Sequence, residues 1–139
     1  MKVLTVRQPW AWAIIHGGKD IENRSWSPPS SLIGERFAIH AALSFDRQAV
    51  ALIPRHLVWP AGYARGAIIG TVKLERVSLL EVGLPTVGPG ARQCGDWGDA
   101  SARVHWHLAD ASPLVGGFEI TVRGRLGLWE FSLPREERR

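Results

Sequence analysis

Cysteine is almost missing from this chain of 139 residues: Cys94 stands alone, which excludes an internal disulfide and any cysteine-rich zinc site. Long apolar runs are missing too. None approaches the ~20 residues that span a bilayer, so no membrane is expected among its partners. There is no internal repeat, low-complexity block or linker. With 45% hydrophobic and 22% charged residues, a disordered tail, a collagen-like fibre and a coiled coil are excluded. No charged-then-apolar leader precedes the first strand-like pattern, so a cytoplasmic location is the expectation. Nothing in the pattern speaks to oligomeric state.

What is present fits one domain, expected over residues 1–134 with a polar tail over residues 135–139, and burying roughly two-thirds of its unfolded surface. Seventeen basic side chains against thirteen acidic ones give a net charge of +4, and fourteen of the cations are arginine. Such a mild positive field favours anionic partners, nucleic acid among them.

Lys2 to Arg7 alternates and is rich in β-branched residues, the pattern of a strand. Gln8-Pro9 then opens a helix reaching His16, because proline suits a first helical position whose N–H has no helical partner. Gly17-Gly18 ends it. Strands are expected at Ile21 to Trp26, Arg36 to Ala42, Arg65 to Val77, Val104 to Leu108, Phe118 to Arg123 and Leu126 to Leu133. Gly70 marks a bulge or a close backbone approach. Ser44 as N-cap, with Asp46 in the first turn, predicts a second helix ending at or before Pro54. The α+β pattern points to a small β-barrel of about six strands with two helices packed on it.

The richest stretch is Arg7-Gln8-Pro9-Trp10-Ala11, followed by Gly18-Lys19-Asp20-Ile21-Glu22-Asn23-Arg24-Ser25-Trp26. On a strand, Glu22, Arg24 and Trp26 project to one face, and Lys19 on the preceding turn reaches over it. A carboxylate flanked by two cations can hold a base edge or a phosphate, or polarise a reacting carbonyl. The plain alternative is a surface ion-pair cluster worth little energetically.

Arg-Gln-Pro-Trp-Ala before the helix and Gly-x-Lys-x-x-Glu-x-Arg after it resemble the signature of the ASCH domain, a relative of the PUA domain, and the resemblance extends over nearly the whole chain. It implies a PUA-like barrel with a cleft between barrel and helices that takes RNA or a nucleotide-like ligand. Lys19, Glu22 and Arg24 would line that cleft, with Arg7, Gln8, Trp10, Trp12 and Trp26 nearby. No cofactor and no metal is implied. In this reading Arg7 and the start of the first helix hold phosphate. Lys19 and Arg24 hold phosphate or a base carbonyl, Glu22 accepts from an exocyclic amine, and Trp26 or Trp12 stacks.

Some bacterial members of the family are amidohydrolases acting on acylated cytidine. They use a threonine three residues after the motif lysine, and a glutamate from a later strand. Here Glu22 stands at that position, Asp20, Ile21 and Asn23 supply no hydroxyl, and Ser25 lies on the opposite face. A hydrolase using the same cleft, a ribonuclease or a nucleoside amidohydrolase, is therefore the alternative, with Lys19 and Glu22 as its catalytic pair. A protein-interaction module is the second alternative.

Three further features invite chemistry. Thr71, Lys73 and Glu75 share one strand face, the set an activated nucleophile needs, or simply a solvent-facing strip. His105 and His107 share a strand face and His40 comes from another, but a zinc site needs a third ligand and supporting groups. Gly83 to Ser101 holds five glycines and two prolines, with Arg92, Cys94 and Trp97 among them. It has the parts of a lid over a nucleotide, or of a tolerated insertion that touches nothing. Among the tryptophans, Trp10 and Trp106 read as core, and Trp12, Trp26 and Trp97 as candidates for base stacking.

Overall fold

The computed structural model describes residues 1–51, 60, 62–80, 97–99, 101–114 and 119–132. The tail 135–139, most of Gly83 to Ser101 (Arg92 and Cys94 included) and the approach to Pro54 lie outside the described residues.

The chain opens with β1 (Lys2–Gln8), whose alternation puts Leu4 and Val6 in one apolar cluster and Val3 in another on the opposite face. Helix α1 (Trp10–His16) follows, preceded by a cis Gln8–Pro9 peptide. Its start is closed by a neighbour: Gln8 Oε1 accepts from the Trp12 N–H at 2.9 Å, while Gln8 Nε2 donates to the Ala64 carbonyl at 2.9 Å. The helix buries Ala11, Ala13, Ile14 and Ile15. Gly17 closes it by donating to the Ala13 carbonyl, and Gly18 at φ +74° turns the chain into β2 (Ile21–Arg24). That left-handed conformation suits glycine, which has no Cβ to clash.

Four more strands come after β3 (Arg36–Phe45): β4 (Ala67–Leu79), β5 (Val104–Pro113), β6 (Ile120–Thr121) and β7 (Leu128–Glu130). The sheet order is β2-β5-β4-β3-β1-β7, with β6 paired to β4 beyond the end of β5. All pairings are antiparallel except β1 with β3. The main core lies between α1 and the sheet, around Phe37, Ile39, Leu74 and Trp106. A smaller one on the other face joins Val3, Ala38, Ile68 and Trp129. Both features expected of Gly70 are present. The register shifts beside it, and a Cβ there would meet the Ser112 carbonyl oxygen at 2.6 Å and Ile15 Cδ1 at 2.9 Å. Helix and sheet thus approach as closely as they do because residue 70 has no side chain.

Two expectations need correction. The sheet is mixed and seven-stranded, and it does not close into a hydrogen-bonded barrel: among the described residues β2 and β7 do not pair. One side chain reaches across instead: Arg24 Nη2 on β2 donates to the Thr5 carbonyl on β1, the strand next to β7, at 3.0 Å. In place of a second helix from Ser44, β3 runs on to Phe45 because Phe45 pairs with Gln8. The capping role passes to Asp46, whose Oδ1 accepts from the Gln48 N–H at 3.1 Å at the start of a 3₁₀ turn over Arg47–Ala51. Thus α1 is the one α-helix among the described residues, and none of their helices is long and apolar enough to cross a membrane.

Candidate functional site

Strand β2 lies at the sheet edge against β5, with Glu22 opposite Trp106 and Arg24 opposite Val104. Trp106 and Val104 belong to the main core, so strand alternation carries Glu22 and Arg24 to the inner face. The Lys19 ammonium folds back from the turn and donates to the Ile21 carbonyl. Lys19 is 5% exposed and Glu22 7%, unusual for charged side chains.

The bonding inside this cluster is incomplete. Glu22 Oε1 lies 3.6 Å from Arg24 Nε, an ion pair beyond hydrogen-bond length. Glu22 Oε2 and Arg24 Nε are both buried and have no hydrogen-bond partner among the described residues. A buried acceptor and a buried donor side by side, each unspent, is a costly arrangement for which stability supplies no reason. Burial pushes the Lys19 amine below the ordinary lysine value; the Glu22 and Asp20 carboxylates oppose that shift, and the Arg24 guanidinium adds to it.

Aromatic rings frame the cation. The Lys19 ammonium lies 5.7 Å from the Trp10 ring centroid and 6.0 Å from that of Trp97. The two indoles meet edge to face at 6.5 Å. Trp10 is fixed by its helix and by Nε1 donating to Asp46 Oδ2 at 2.9 Å. Trp26, just past β2, stands edge-on to Trp106 at 5.1 Å, and Trp106 Nε1 donates to the Trp26 carbonyl at 3.3 Å.

Trp97 is held by a residue that motif reading passed over. Asn23 Nδ2 donates to the Trp97 carbonyl at 3.0 Å, and Asn23 Oδ1 accepts from the Asp99 N–H at 2.8 Å. Asn23 sits between Glu22 and Arg24, on the opposite face of the strand by alternation, and its partners are far away in sequence. Across β2 and β5 it pairs with His105, a register that no local sequence signal reports.

Not every expected residue joins the cluster. The structure brings together Trp10, Lys19, Glu22, Arg24 and Trp97, with Trp26 on the same core face. Arg7 is exposed and donates to the Phe45 carbonyl at 3.2 Å. Gln8 spends its amide on α1 and Ala64, which takes up the Trp12 N–H among the first-turn donors expected to face an anion beside Arg7. Trp12 faces the other way, against Tyr63 at 6.4 Å and His16 at 6.1 Å, where a hollow of about 160 Å³ lies between α1, Ala64 and Leu114. A second hollow of about 180 Å³ touches Lys19 from behind, between Gly18, Asp20 and Asp110, and does not reach Glu22.

The Thr71, Lys73, Glu75 strip lies outside the core. Thr71 Oγ1 accepts from the exposed Arg36 at 3.0 Å, and Glu75 is exposed. The histidines are occupied separately: His40 Nε2 with the Val122 carbonyl at 2.7 Å, His105 Nε2 with the Asp99 carbonyl at 2.7 Å, and His107 Nε2 with Ser78 Oγ at 2.8 Å. Burial, and then Arg76 and His105, lower the His107 pKa. Among the described residues no three side chains gather as metal ligands.

Comparison with known proteins adds a lineage to this geometry. A family model, the ASCH domain, matches residues 4–94. Among solved structures the chain is similar to ASCH from Zymomonas mobilis, at 20% identity over 86% of this chain and 72% of that one, with a TM-score of 0.50. It is similar also to a point-mutant ZmASCH protein from the same organism, at 17% identity over 87% of this chain and 73% of that one, again with a TM-score of 0.50. At such identities the likeness is one of fold. No curated protein matches the chain.

Proposed function

The chain belongs to the ASCH domain family, a PUA-like and nucleic-acid-associated family, and from that premise we propose that it binds RNA or a nucleotide-like ligand at Lys19, Glu22 and Arg24. The observation that carries the reading is the buried, unspent pair formed by Glu22 Oε2 and Arg24 Nε. Glu22 Oε2 accepts from an exocyclic amine, Arg24 Nε–H donates to a carbonyl or phosphate oxygen, and the Lys19 ammonium supplies the balancing charge. The base packs against the indoles of Trp10 and Trp97, aromatic faces being the usual platform for unpaired bases. Trp26 supports the floor through Trp106. Arg7, exposed near the end of β1, contributes at most a phosphate contact outside the cluster.

A second reading is favoured by one observation. Burial lowers the Lys19 pKa, so its amine gives up a proton more readily than a surface lysine and can serve as a base beside Glu22. That is the hydrolase alternative, a ribonuclease or an amidohydrolase acting on acylated cytidine. Incubation with a panel of RNAs and acylated nucleosides separates the two, with Lys19→Ala as control. Binding without turnover is the expected result. Turnover that disappears in Lys19→Ala would replace the binding reading with the enzymatic one, and neither binding nor turnover would leave the protein-interaction module.

A further inference from the structure

The site just described is nearly closed, yet two of its polar atoms are unspent. Whatever reaches them must first move something. Trp10 is a poor candidate, because leaving Lys19 would break the Asp46 bond and disturb a helix whose neighbours Ala11, Ala13 and Ile14 are buried. Trp97 is the better one, since it lies outside every helix and strand. Residues 97–99 are held to β2 by the Asn23 carboxamide, which uses its donor on Trp97 and its acceptor on Asp99. His105 adds one bond to the Asp99 carbonyl from β5. A carbonyl only accepts, so the proton of that bond is on His105 Nε2. Asp99 in turn gathers Ser101, whose N–H and Oγ both donate to its Oδ1, at 2.9 Å and 2.7 Å.

We propose that Asn23 is a positioning residue: it straps residues 97–99 to β2 so that the Trp97 indole covers Lys19, and release of that strap opens the site. This rests on the binding reading for what the site admits, but the strap itself can be tested without any ligand. A carboxamide is the side chain this task needs, because its N–H donors and its acceptor oxygen lie in one plane, matched to a carbonyl and an N–H two residues apart. The two bonds together are weak enough to open locally while the sheet stays folded. Asn23 does not touch the ligand in this account; it acts through Trp97.

The scarcity of lysine makes the test clean. An amine-acylating ester of N-hydroxysuccinimide is reacted with the full chain, and labelling of Lys2, Lys19 and Lys73 is followed separately by mass spectrometry at several low urea concentrations. In the wild-type chain Lys19 should react far more slowly than Lys2, with a rate nearly independent of urea, as local opening requires. Asn23→Ala should speed Lys19 labelling about tenfold, the size expected from losing two ordinary hydrogen bonds, and leave Lys2 and Lys73 unchanged. Trp97→Ala, which removes the cover and keeps Asn23, should speed it at least as much. If Asn23→Ala does not fold, the wild-type chain decides. Under the proposal the Asp99 amide exchanges its hydrogen with the same opening equilibrium as Lys19. Lys19 labelling that Asn23→Ala leaves unchanged, or that follows urea as steeply as global unfolding, overturns the proposal. If the strap passes and cytidine 5′-monophosphate and short RNAs still do not bind, the binding reading fails while the strap stands.

Discussion

Two buried polar clusters meet at Thr5, and they are built on opposite rules. The Thr5 side chain belongs to the first, where Trp129 Nε1 donates to Thr5 Oγ1 at 2.9 Å and His40 Nδ1 lies 3.4 Å from the same oxygen. His40 Nε2 completes that cluster on the Val122 carbonyl. Since a carbonyl only accepts, Nε2 carries the proton, and Nδ1 takes a weak bond from the Thr5 hydroxyl. Each ring nitrogen of His40 and the indole N–H of Trp129 therefore has a use. The Thr5 carbonyl belongs to the second cluster, as the acceptor for Arg24, and there Glu22 Oε2 and Arg24 Nε remain unspent. Both clusters are buried. The first cluster spends its bonding capacity on the fold, while the second keeps some after folding, as does His105 Nδ1 on the neighbouring β5.

The first cluster should carry the larger stability effects. His40→Ala removes a buried ring and orphans the Val122 carbonyl, and should cost about 2–4 kcal/mol in urea unfolding while ligand affinity is retained. Loss of affinity equal to that of a site mutant would merge the two clusters and break the contrast. Gly124→Ala comes next, at about 1–3 kcal/mol, because its Cβ would lie 2.6 Å from His40 Cε1 and 3.1 Å from Thr5 Oγ1. Suppression of that cost in the His40→Ala background would confirm that the clash is with the ring.

In the second cluster the order reverses. Glu22→Gln should change unfolding by less than about 1 kcal/mol, since the shape is kept and the Arg24 pair it weakens is long and incompletely bonded. Affinity should fall at least tenfold by calorimetric titration. A large loss of stability with intact binding would make Glu22 a structural ion pair.

The smallest effect is a trend with pH. Burial disfavours the Lys19 ammonium, so between its lowered value and the ordinary 10.5 the unfolded chain holds more proton on this group than the folded one. The stability contributed by Lys19 therefore rises with pH across that window. The melting temperature of Lys19→Met relative to wild type should accordingly fall as the pH is raised toward 10.5. A Lys19→Met melting temperature that rises relative to wild type as the pH is raised would put the Lys19 shift in the other direction.

The opening strand, helix and strand were legible because their signals are local: β-branched alternation before Gln8, a glycine pair after His16, and a charged motif on one strand face. The second helix failed on a non-local term. The Ser44 and Asp46 cap pattern was real, but pairing of Phe45 with Gln8 extended β3 and moved the cap onward. Trp10 and Trp12 cannot both face the cleft, because residues two apart on a helix point about 200° apart, a signal present in the spacing itself. Asn23 was invisible for a different reason. Its partner Trp97 lies 74 residues away, and no periodicity reports such a contact. Barrel closure is also beyond local reading, because β2 reaches β1 through the Arg24 side chain and not through a strand pair.

The central claim, that the unspent cluster is the ligand site, is tested most directly by following assigned N–H resonances as cytidine 5′-monophosphate and then a short single-stranded RNA are added. The account predicts that the Arg24 Nε–H and Trp97 indole signals shift together with saturation, while the Trp129 indole, already bonded to Thr5, stays in place. Saturable shifts at Trp129 or at Trp12, with Arg24 Nε–H unmoved, would contradict it.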